Sequence, residues 1–415
     1  MNFVAPRWTY LALGSLGLIA AGACSASDGS EIGEDDGSGA AGGGTSVGGN
    51  TGQGGIMLGT GGGGTGTGTG NTCTTDPNVD DDMDGFTDNE GDCNDCDPNT
   101  NPGAVEVPTP TMGMGGGMPA EPADENCDGQ VDEPFMACDT GIDIADTDPM
   151  NGARAIGLCQ TTTANDQQWG VLDAQYVRAS GMVTAANDQV GIMDTFGTNV
   201  LPRRGDRLLG MSSGRARDAS DPNPCGTYLC DNGIAGTAPA GFPQDVPGCP
   251  GGTDIYDDIG LEVTLRAPTN ASGYTFDFTF YTFEYDEWIC DFYNDQFIAL
   301  VSPPPMGSIN GNISFDSMSN PVSVNVAFFD VCAGCALGTA ELAGTGFDGS
   351  WMDNAGATGW LVTQAPVEAG QEFSIRFAIW DTADGVWDST VLIDNFTWIA
   401  DSGEPVGVGT TPIPK

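Results

Sequence analysis

The chain has 415 residues, of which 58 are Asp or Glu and 11 are Lys or Arg, so its formal net charge is −47. A chain this negative does not attract nucleic acid or an anionic lipid surface, which excludes both as partners bound by charge. It contains no His, so hydrolases built on Ser-His-Asp or Cys-His groups are excluded.

Residues 1–23 have the features of an export signal. Arg7 precedes an apolar run from Trp8 to Ala21 that is too short for a comfortable membrane span. The run ends in Ala-Gly-Ala-Cys, which resembles a lipoprotein signal peptide, and the resemblance implies that Cys24 is lipidated. Ala21 stands where that family usually has Leu, so ordinary signal cleavage nearby stays open. Ser25 after the Cys implies delivery to the outer membrane, and we predict an exported protein, lipid-anchored at the outer membrane or cell surface.

The following segment, residues 24–72, is almost wholly Gly, Thr and Ser with a few acids, and includes GTGGGGTGTGTGN. Such a composition cannot bury enough apolar surface to offset the entropy lost on ordering. We predict a disordered tether with a typical end-to-end span of roughly 35–40 Å.

Carboxylates alternate with small residues in residues 79–133, where VDDDMDGFTDNEGDCNDCDP precedes a Pro/Gly/Met-rich insert and DENCDGQVDE follows it. In Asp80-x-Asp82-x-Asp84-Gly85, the alternate side-chain oxygens point into one concave loop, and Gly85 permits the turn that closes it. Such a loop favours calcium, a hard cation that prefers oxygen ligands. The twelfth position is Gly91 instead of the bidentate Glu of an EF-hand, so this is a different kind of loop.

The order DxDxDGF, EGDCND, DP, NPGAVE and DENCDGQVDE resembles the MopE-type metal-binding motif of bacterial surface proteins. The resemblance implies a metal-binding module over residues 73–140, here called the cassette. The oxygen ligands that it implies are Asp80, Asp82, Asp84, Asp88, Asp92, Asn94, Asp95 and Asp97 in the first half, and Asp124, Asn126, Asp128 and Asp132 in the second. The insert at residues 108–123 lengthens the usual spacing, and an acidic, solvated linker held by disulfides is the alternative interpretation.

Copper is disfavoured as the metal of the cassette. Copper favours imidazole and sulfur donors, whereas the chain has no His and the cassette has no Trp. Met112, Met114 and Met118 would be soft ligands for cuprous ion, but methionines in a Gly/Pro loop are more often filler.

Cysteine usage agrees with an exported protein. There are 13 Cys, and without Cys24 an even number remains, as in a disulfide framework formed in an oxidising compartment. Cys93 and Cys127 occupy matching positions in the two halves of the cassette, and we predict a disulfide between them. Cys93-x-x-Cys96 and Cys332-x-x-Cys335 also have zinc or redox spacing, but zinc would require the two pairs to converge from separate domains, and a redox dithiol lacks a βαβ context.

Residues 150–400 have the alternation of β-strands. IGLEVTLRA and YTFDFTFYTFEY each place apolar residues on one face, and QFIALV, VSVNVAFF, EFSIRFAIW and STVLIDNFTWI are further short segments bounded by Gly, Pro, Asn or Asp. These segments predict an all-β fold, an antiparallel β-sandwich of jelly-roll type, with residues 401–415 as a polar tail.

Several blocks of this region resemble the choice-of-anchor L domain, among them FEYDEWICDFYNDQFIALV and GATGWLVTQAPVEAGQEFSIRFAIWDTADGVWDSTVLIDNFTW. Members of that family share an exported β domain while the anchoring device differs between proteins, so the resemblance implies that the lipid on Cys24 is the anchor here. The family carries no established reaction, and the resemblance therefore implies location and fold more than mechanism.

Two acidic clusters of the sandwich are candidate sites. One is a strand end rich in acids and aromatic rings, typical of a sugar-binding platform, and comprises Glu284, Tyr285, Glu287, Trp288 and Tyr293. Its carboxylates also suit a glycoside hydrolase, and an ordinary acidic strand end is the third interpretation. The other is the Gly-containing turn WDTADGVWDS, where Asp381, Asp384 and Asp388 indicate a second calcium site.

Together these features predict a calcium-binding, lipid-anchored surface protein that is not an enzyme. Its sandwich is expected to serve adhesion or to bind a ligand such as a surface glycan or protein, and its lipid is expected to contact the membrane. A surface polysaccharide hydrolase using the carboxylates near Glu284 and a structural envelope protein are the alternatives.

Overall fold

A computed structural model describes residues 73–74, 76–109, 122–230, 233–326 and 328–414. The expected signal peptide, Cys24, the tether and the methionines of the insert lie outside the described residues. The described residues belong to one compact unit, residues 69–415. Every helix described is too short or too polar to cross a bilayer.

The regular secondary structure of the described residues is mainly β-strand, with one short α-helix and two single-turn 3-10 helices. In chain order the helix and strands are α1 Pro149–Ala155, β1 Gly170–Val177, β2 Val190–Met193, β3 Leu208–Ser212, β4 Ile255–Arg266, β5 Ala271–Thr282, β6 Gln296–Ser302, β7 Val322–Ser323, β8 Gly356–Ala357, β9 Leu361–Pro366, β10 Glu372–Thr382, β11 Ser389–Ala400 and β12 Gly409–Pro412.

The strands form two antiparallel sheets that pack as a sandwich. One sheet has the order β1-β4-β10-β6-β7, and the other has the order β12-β9-β5-β11-β3-β2, with β8 paired to β5. Consecutive strands such as β4 and β5, or β10 and β11, lie in different sheets. The chain therefore crosses repeatedly between the layers, and the predicted all-β sandwich is confirmed.

Alternating apolar residues of β4 and β5 build the core between the sheets. The rings of Phe276 and Phe278 on β5 are fully buried. Their centroids lie 5.0 Å from those of Phe377 on β10 and Phe297 on β6, respectively. Because β5 belongs to one sheet and β6 and β10 to the other, these contacts join the two layers, at separations that aromatic pairs favour.

The end of the chain differs from the predicted polar tail. Gly409–Pro412 forms β12 and pairs with β9 at the edge of the second sheet, and the Thr410 hydroxyl lies 2.7 Å from that of Thr363. A strand this short shows no recognisable alternation of apolar and polar residues in the sequence. Its proline is tolerated because the strand lies at the edge of the sheet.

The cassette is attached to the sandwich by hydrogen bonds between its backbone and side chains of the sandwich. The Asn270 side chain, in the turn between β4 and β5, accepts a hydrogen bond from Val105 N at 2.9 Å and donates one to Val105 O at 2.8 Å. Trp169 Nε1 donates to Ala104 O at 3.0 Å. The segment NPGAVE thus joins the acidic loops of the cassette to the β-domain.

Candidate functional site

The two halves of the cassette contain the same loop. Asp80 opens the first loop, and its two carboxylate oxygens accept hydrogen bonds from Met83 N at 2.7 Å and Gly85 N at 3.1 Å. Asp124 opens the second, where its oxygens accept from Asp128 N at 3.1 Å and Gly129 N at 2.9 Å. In each loop the first carboxylate thus closes the turn by binding the backbone.

The backbone angles repeat as well. The fourth residue of each loop has a positive φ, 69° at Met83 and 56° at Cys127, and so does the sixth, 100° at Gly85 and 89° at Gly129. Glycine adopts this region freely, whereas other residues rarely do so. The sequence repeat is therefore also a repeat of backbone shape.

The first half brings carboxylates together in two overlapping groups. Oxygens of Asp80, Asp82 and Asp95 lie within 4.8 Å of one another, and so do oxygens of Asp82, Asp84 and Asp92. Since calcium lies about 2.3–2.6 Å from its oxygen ligands, oxygens this close can contact one ion. Asp82 is common to both groups and therefore stands at their centre.

Two of these carboxylates have oxygens without a hydrogen-bond partner. Asp92 is 5 % exposed, and its Oδ2 and that of Asp82 are buried and unpaired. Burial, reinforced by neighbouring carboxylates, raises the pKa of Asp82, Asp84 and Asp92 to about 6 each. A cation would supply a charge compensation that no ion pair of the described residues gives these three carboxylates.

Other predicted ligands of the first half lie at the margin. Neither group contains Asp88 or Asp97. Asp88 is exposed in a single-turn helix. Asp97 Oδ1 accepts a hydrogen bond from Asn99 N at 3.2 Å. Asn94 is exposed, and its backbone N donates to Asp92 Oδ1 at 2.8 Å. These residues shape the loop around the central carboxylates.

In the second half, Glu106 is a residue that the predicted ligand set missed. Its two oxygens accept hydrogen bonds from Asn126 N at 3.1 Å and Asp132 N at 3.0 Å, and Asn126 Nδ2 donates to Glu133 Oε1 at 2.9 Å. Burial raises the pKa of Glu106. The motif NPGAVE, which ends in Glu106, was the available signal, and the role of this residue is to hold the second loop beside the first half.

Disulfides link the parts of the cassette and leave no described cysteine as a thiol. The pairs are Cys73–Cys96, Cys93–Cys127, Cys138–Cys159, Cys225–Cys230, Cys249–Cys290 and Cys332–Cys335. The two halves of the cassette are therefore joined at Cys93 and Cys127, the pair that their matching positions predicted. Neither CxxC pair supplies thiolates for zinc.

On the sandwich, four partly exposed rings form a surface cluster that we call the aromatic rim: Tyr228, Trp288, Tyr293 and Trp387. The centroid of Trp288 lies 5.1 Å from that of Tyr293 and 5.4 Å from that of Trp387, and Tyr228 lies 6.1 Å from Trp387. Trp288 and Tyr293 were predicted as ligand contacts, whereas Tyr228 and Trp387 come from other loops that no sequence pattern connects to them.

The remaining residues predicted for that platform lie elsewhere. Tyr285 stacks on Phe329 with a centroid distance of 4.2 Å, and Glu284 is buried. Glu287 is exposed, and its Oε1 accepts a hydrogen bond from Asn354 Nδ2 at 2.9 Å. Of the predicted carboxylates, only Glu287 is therefore accessible to a surface ligand.

The three acids predicted as one calcium site have different surroundings; they are Asp381, Asp384 and Asp388. Asp388 Oδ2 accepts a hydrogen bond from Cys230 N at 3.0 Å, and Asp384 Oδ1 accepts one from Val386 N at 3.2 Å. Asp381 is fully buried. Burial raises its pKa, and the charge of Asp295 raises it further. The sequence did not single out Asp295 because it lies far from this turn in the chain.

A cleft of about 660 Å³ lies between the cassette and the sandwich. Its walls include Glu106, Phe135, Trp169, Arg204 and Trp398, and the Arg204 guanidinium lies 3.7 Å from the centre of the Phe135 ring. Aromatic walls with a few charged groups are typical of ligand pockets. The sequence did not predict this cleft, because its walls come from distant segments.

Residues 253–397 match the family described as Choice-of-anchor L domain. The match extends over β4 to β11 and contains part of the aromatic rim, while the cassette lies outside it. It indicates a surface-associated extracellular β-sandwich protein. No curated protein matches the chain, and no solved structure matches it.

Proposed function

We propose that this chain is a cell-surface lipoprotein in which a calcium-binding cassette adjoins a β-sandwich that binds a surface glycan or another surface ligand. The observation that carries the proposal is the pair of overlapping carboxylate groups centred on Asp82, with unpaired buried oxygens on Asp82 and Asp92. The surface-associated family match of residues 253–397 supports the extracellular location.

The chemistry of the donors favours calcium. The grouped ligands are all carboxylate oxygens, which hard cations prefer over softer transition metals. Magnesium demands a near-ideal octahedron and gives up its water reluctantly, whereas calcium accepts irregular sets of six to eight oxygens. Loops that close on their own backbone, as those of Asp80 and Asp124 do, offer such an irregular set.

The aromatic rim is the proposed ligand-binding surface. Its rings can stack on the apolar faces of sugars, and the exposed Glu287 can accept hydrogen bonds from hydroxyl groups. Ile289 and Phe292, which are 47 % and 54 % exposed, extend the apolar surface along the same loop. An exposed apolar surface of this kind is typical of a binding site.

Calcium titration of the purified full-length protein tests the proposal. We expect a calorimetric binding signal with a dissociation constant of about 0.1–1 mM, the range of extracellular modules. Asp82→Asn combined with Asp84→Asn should remove the signal that belongs to the cassette, because both carboxylate groups lose a charged ligand. Asp173→Asn, an exposed acid on β1, is the matched control and should bind as the wild type does.

Absence of heat with the wild type, or equal binding by the double variant, would refute a calcium cassette and leave the acidic linker held by disulfides. The hydrolase alternative is tested separately by incubating the protein with polysaccharides and measuring reducing ends. Release of reducing ends that Glu287→Gln abolishes would replace the binding function with a catalytic one.

A further inference from the structure

Three carboxyl groups lie buried at one end of the sandwich, outside the cassette. Glu284 follows β5, Asp295 precedes β6 and Asp381 lies in the last part of β10, and they are 2 %, 0 % and 0 % exposed. A buried ionised carboxylate is costly unless it is paired or coordinates a metal. Three of them at one end of the sandwich therefore need either a proton or a cation to offset that cost.

Asp295 is held rigidly at the centre of this group. Its Oδ1 accepts a hydrogen bond from Thr382 N at 3.0 Å, and its Oδ2 accepts one from the Ser389 hydroxyl at 2.6 Å. These bonds tie it to the end of β10 and the start of β11. Each oxygen keeps a further lone pair, because a carboxylate has about four acceptor sites.

Asp381 lacks hydrogen-bond partners at normal distance, although the Ser213 hydroxyl lies close enough to influence its pKa. Both of its oxygens are buried and unpaired, and so is the neighbouring Thr382 hydroxyl. Burial and then the charge of Asp295 raise its pKa, while the Ser213 hydroxyl lowers it only in part. Asp295 and Asp381 therefore lie side by side where β6 pairs with β10, and both Asp381 oxygens lack a hydrogen-bond donor at normal distance.

Among the described residues, no ion pair gives these three carboxyls a counter-charge. The described ion pairs of the chain join Arg side chains to other acids and do not include Glu284, Asp295 or Asp381. Glu284 Oε2 accepts a long hydrogen bond, 3.5 Å, from Asp295 N, which places its carboxyl group beside Asp295. The donors available in the group are thus all oxygens.

We propose that Asp295 and Asp381, completed by Glu284, bind a divalent cation inside the sandwich, and that this cation is calcium. The ligands are hard oxygen donors, which excludes a preference for copper or zinc. The Thr382 hydroxyl is a further neutral donor. This site differs from the predicted Asp381, Asp384 and Asp388 set, because two of its carboxylates come from the β5–β6 region.

The position of the site connects it to the aromatic rim. Glu284 O accepts a hydrogen bond from Trp288 N at 3.0 Å, and Trp387 lies in the loop between β10 and β11. A cation held by Glu284 and Asp381 would thus brace the bases of both loops that carry these tryptophans. This consequence rests on the proposed role of the rim, whereas the cation site itself does not.

Terbium luminescence in the full-length protein tests the site. The cassette is first disabled by Asp82→Asn and Asp84→Asn, so that any remaining signal belongs to the sandwich. Terbium replaces calcium at oxygen sites and is excited through nearby tryptophan, here Trp288 and Trp387. We expect luminescence in this background, calcium competition for it, and a calcium-dependent rise in Tm.

Adding Asp381→Asn to the same background should weaken terbium and calcium binding by at least about tenfold, since even outer-shell changes cost that much at metal sites. With chelator present, the Tm of the Asp381→Asn variant should equal or exceed that of the background protein, because the neutral Asn side chain removes a buried charge. Asp173→Asn in the same background is the matched control and should change neither measurement. If Asp381→Asn does not fold, Glu284→Gln carries the comparison.

Two results would overturn the inference. One is a background protein with no luminescence and no calcium-dependent rise in Tm, which would mean that protons neutralise the cluster. The other is unchanged binding in the folded Asp381→Asn variant. A cassette that binds no calcium would give a different result. The wild type would then bind no more calcium than the Asp82→Asn, Asp84→Asn background protein.

Discussion

The carboxylates of the cassette show how burial changes the chemistry of a single residue type. An exposed Asp ionises near pH 4, and the sequence alone therefore suggests that calcium binding weakens only near that pH. In the structure, burial and neighbouring charges raise the pKa of Asp82, Asp84 and Asp92 to about 6. Protons would therefore compete with the proposed calcium at a higher pH than the composition indicates.

We expect calcium affinity to fall as the pH decreases through about 6, because only the ionised carboxylates ligate. The sign for stability is opposite in metal-free protein. Since the folded pKa values lie above those of the unfolded chain, these groups favour folding at low pH, and that contribution is lost as pH rises through about 6. Calorimetry and thermal melts at about pH 5 and about pH 7, with calcium and with chelator, measure both effects. Unchanged affinity at the two pH values would contradict the buried site.

Trp288 is the residue on which the proposed ligand surface depends most. It contacts both Tyr293 and Trp387, so Trp288→Ala should weaken retention on cell-surface or polysaccharide matrices. Because the ring is partly buried, the same variant is also melted, and a fall in Tm of several degrees would indicate a structural role. Glu287→Gln removes an exposed charge and is expected to alter affinity with little effect on Tm. Normal binding by folded Trp288→Ala would place the ligand outside the rim, with the cleft around Trp169 and Trp398 as the next candidate.

At the scale of elements, the cassette and the sandwich are stabilised by different forces. The sandwich has a continuous core in which rings from both sheets interlock. The described cassette has no strand, and its buried apolar side chains are Phe86 and Ala104. Its order therefore depends on the bridges at Cys93 and Cys96 and on the hydrogen bonds to Asn270, and the proposed calcium would add to them. Small modules with little core generally require such covalent or metal links.

Reduction combined with chelation should therefore loosen the cassette before the sandwich. Hydrogen exchange followed by mass spectrometry is expected to accelerate in residues 76–109 and 122–133 while β4 and β5 stay protected. Calcium-saturated, oxidised protein is the control. Equal acceleration in both regions would show that the cassette is held by its contacts with the sandwich and not by its own bridges.

Titration of the unfolded, unreduced protein should find no free thiols among the twelve cysteines that the structure pairs.

For the whole molecule, anchoring is the decisive prediction. We expect the mature protein to partition with membranes through acylated Cys24, because a Cys follows the short apolar run and small residues of an export signal. Cys24→Ala should yield soluble or unprocessed protein, which fractionation and mass spectrometry of the N-terminus detect. The control is Cys24→Ser, which removes the thiol with minimal change in size and should behave in the same way. Release of wild-type protein without detergent would contradict lipid anchoring.

Much of the fold and part of the site follow from short stretches of sequence. The alternation of Phe276, Phe278 and Phe280 defines the buried face of a strand, because side chains of a strand point alternately to its two sides. The spacing of Asp80, Asp82 and Asp84 before a glycine defines a loop that closes on its own backbone. Both properties depend on neighbouring residues only, so the chain itself determines them.

Tertiary structure alone decided which of the many acids are buried and what they face. Thr382 and Asp295 are 87 positions apart, and only the pairing of β10 with β6 brings Asp295 beside Asp381. The same holds for Trp288 and Trp387, and for β12, whose place at the edge of a sheet depends on β9. Whether a carboxylate is an exposed charge or a buried group without a hydrogen-bond partner depends on the strands around it, and no local pattern contains that information.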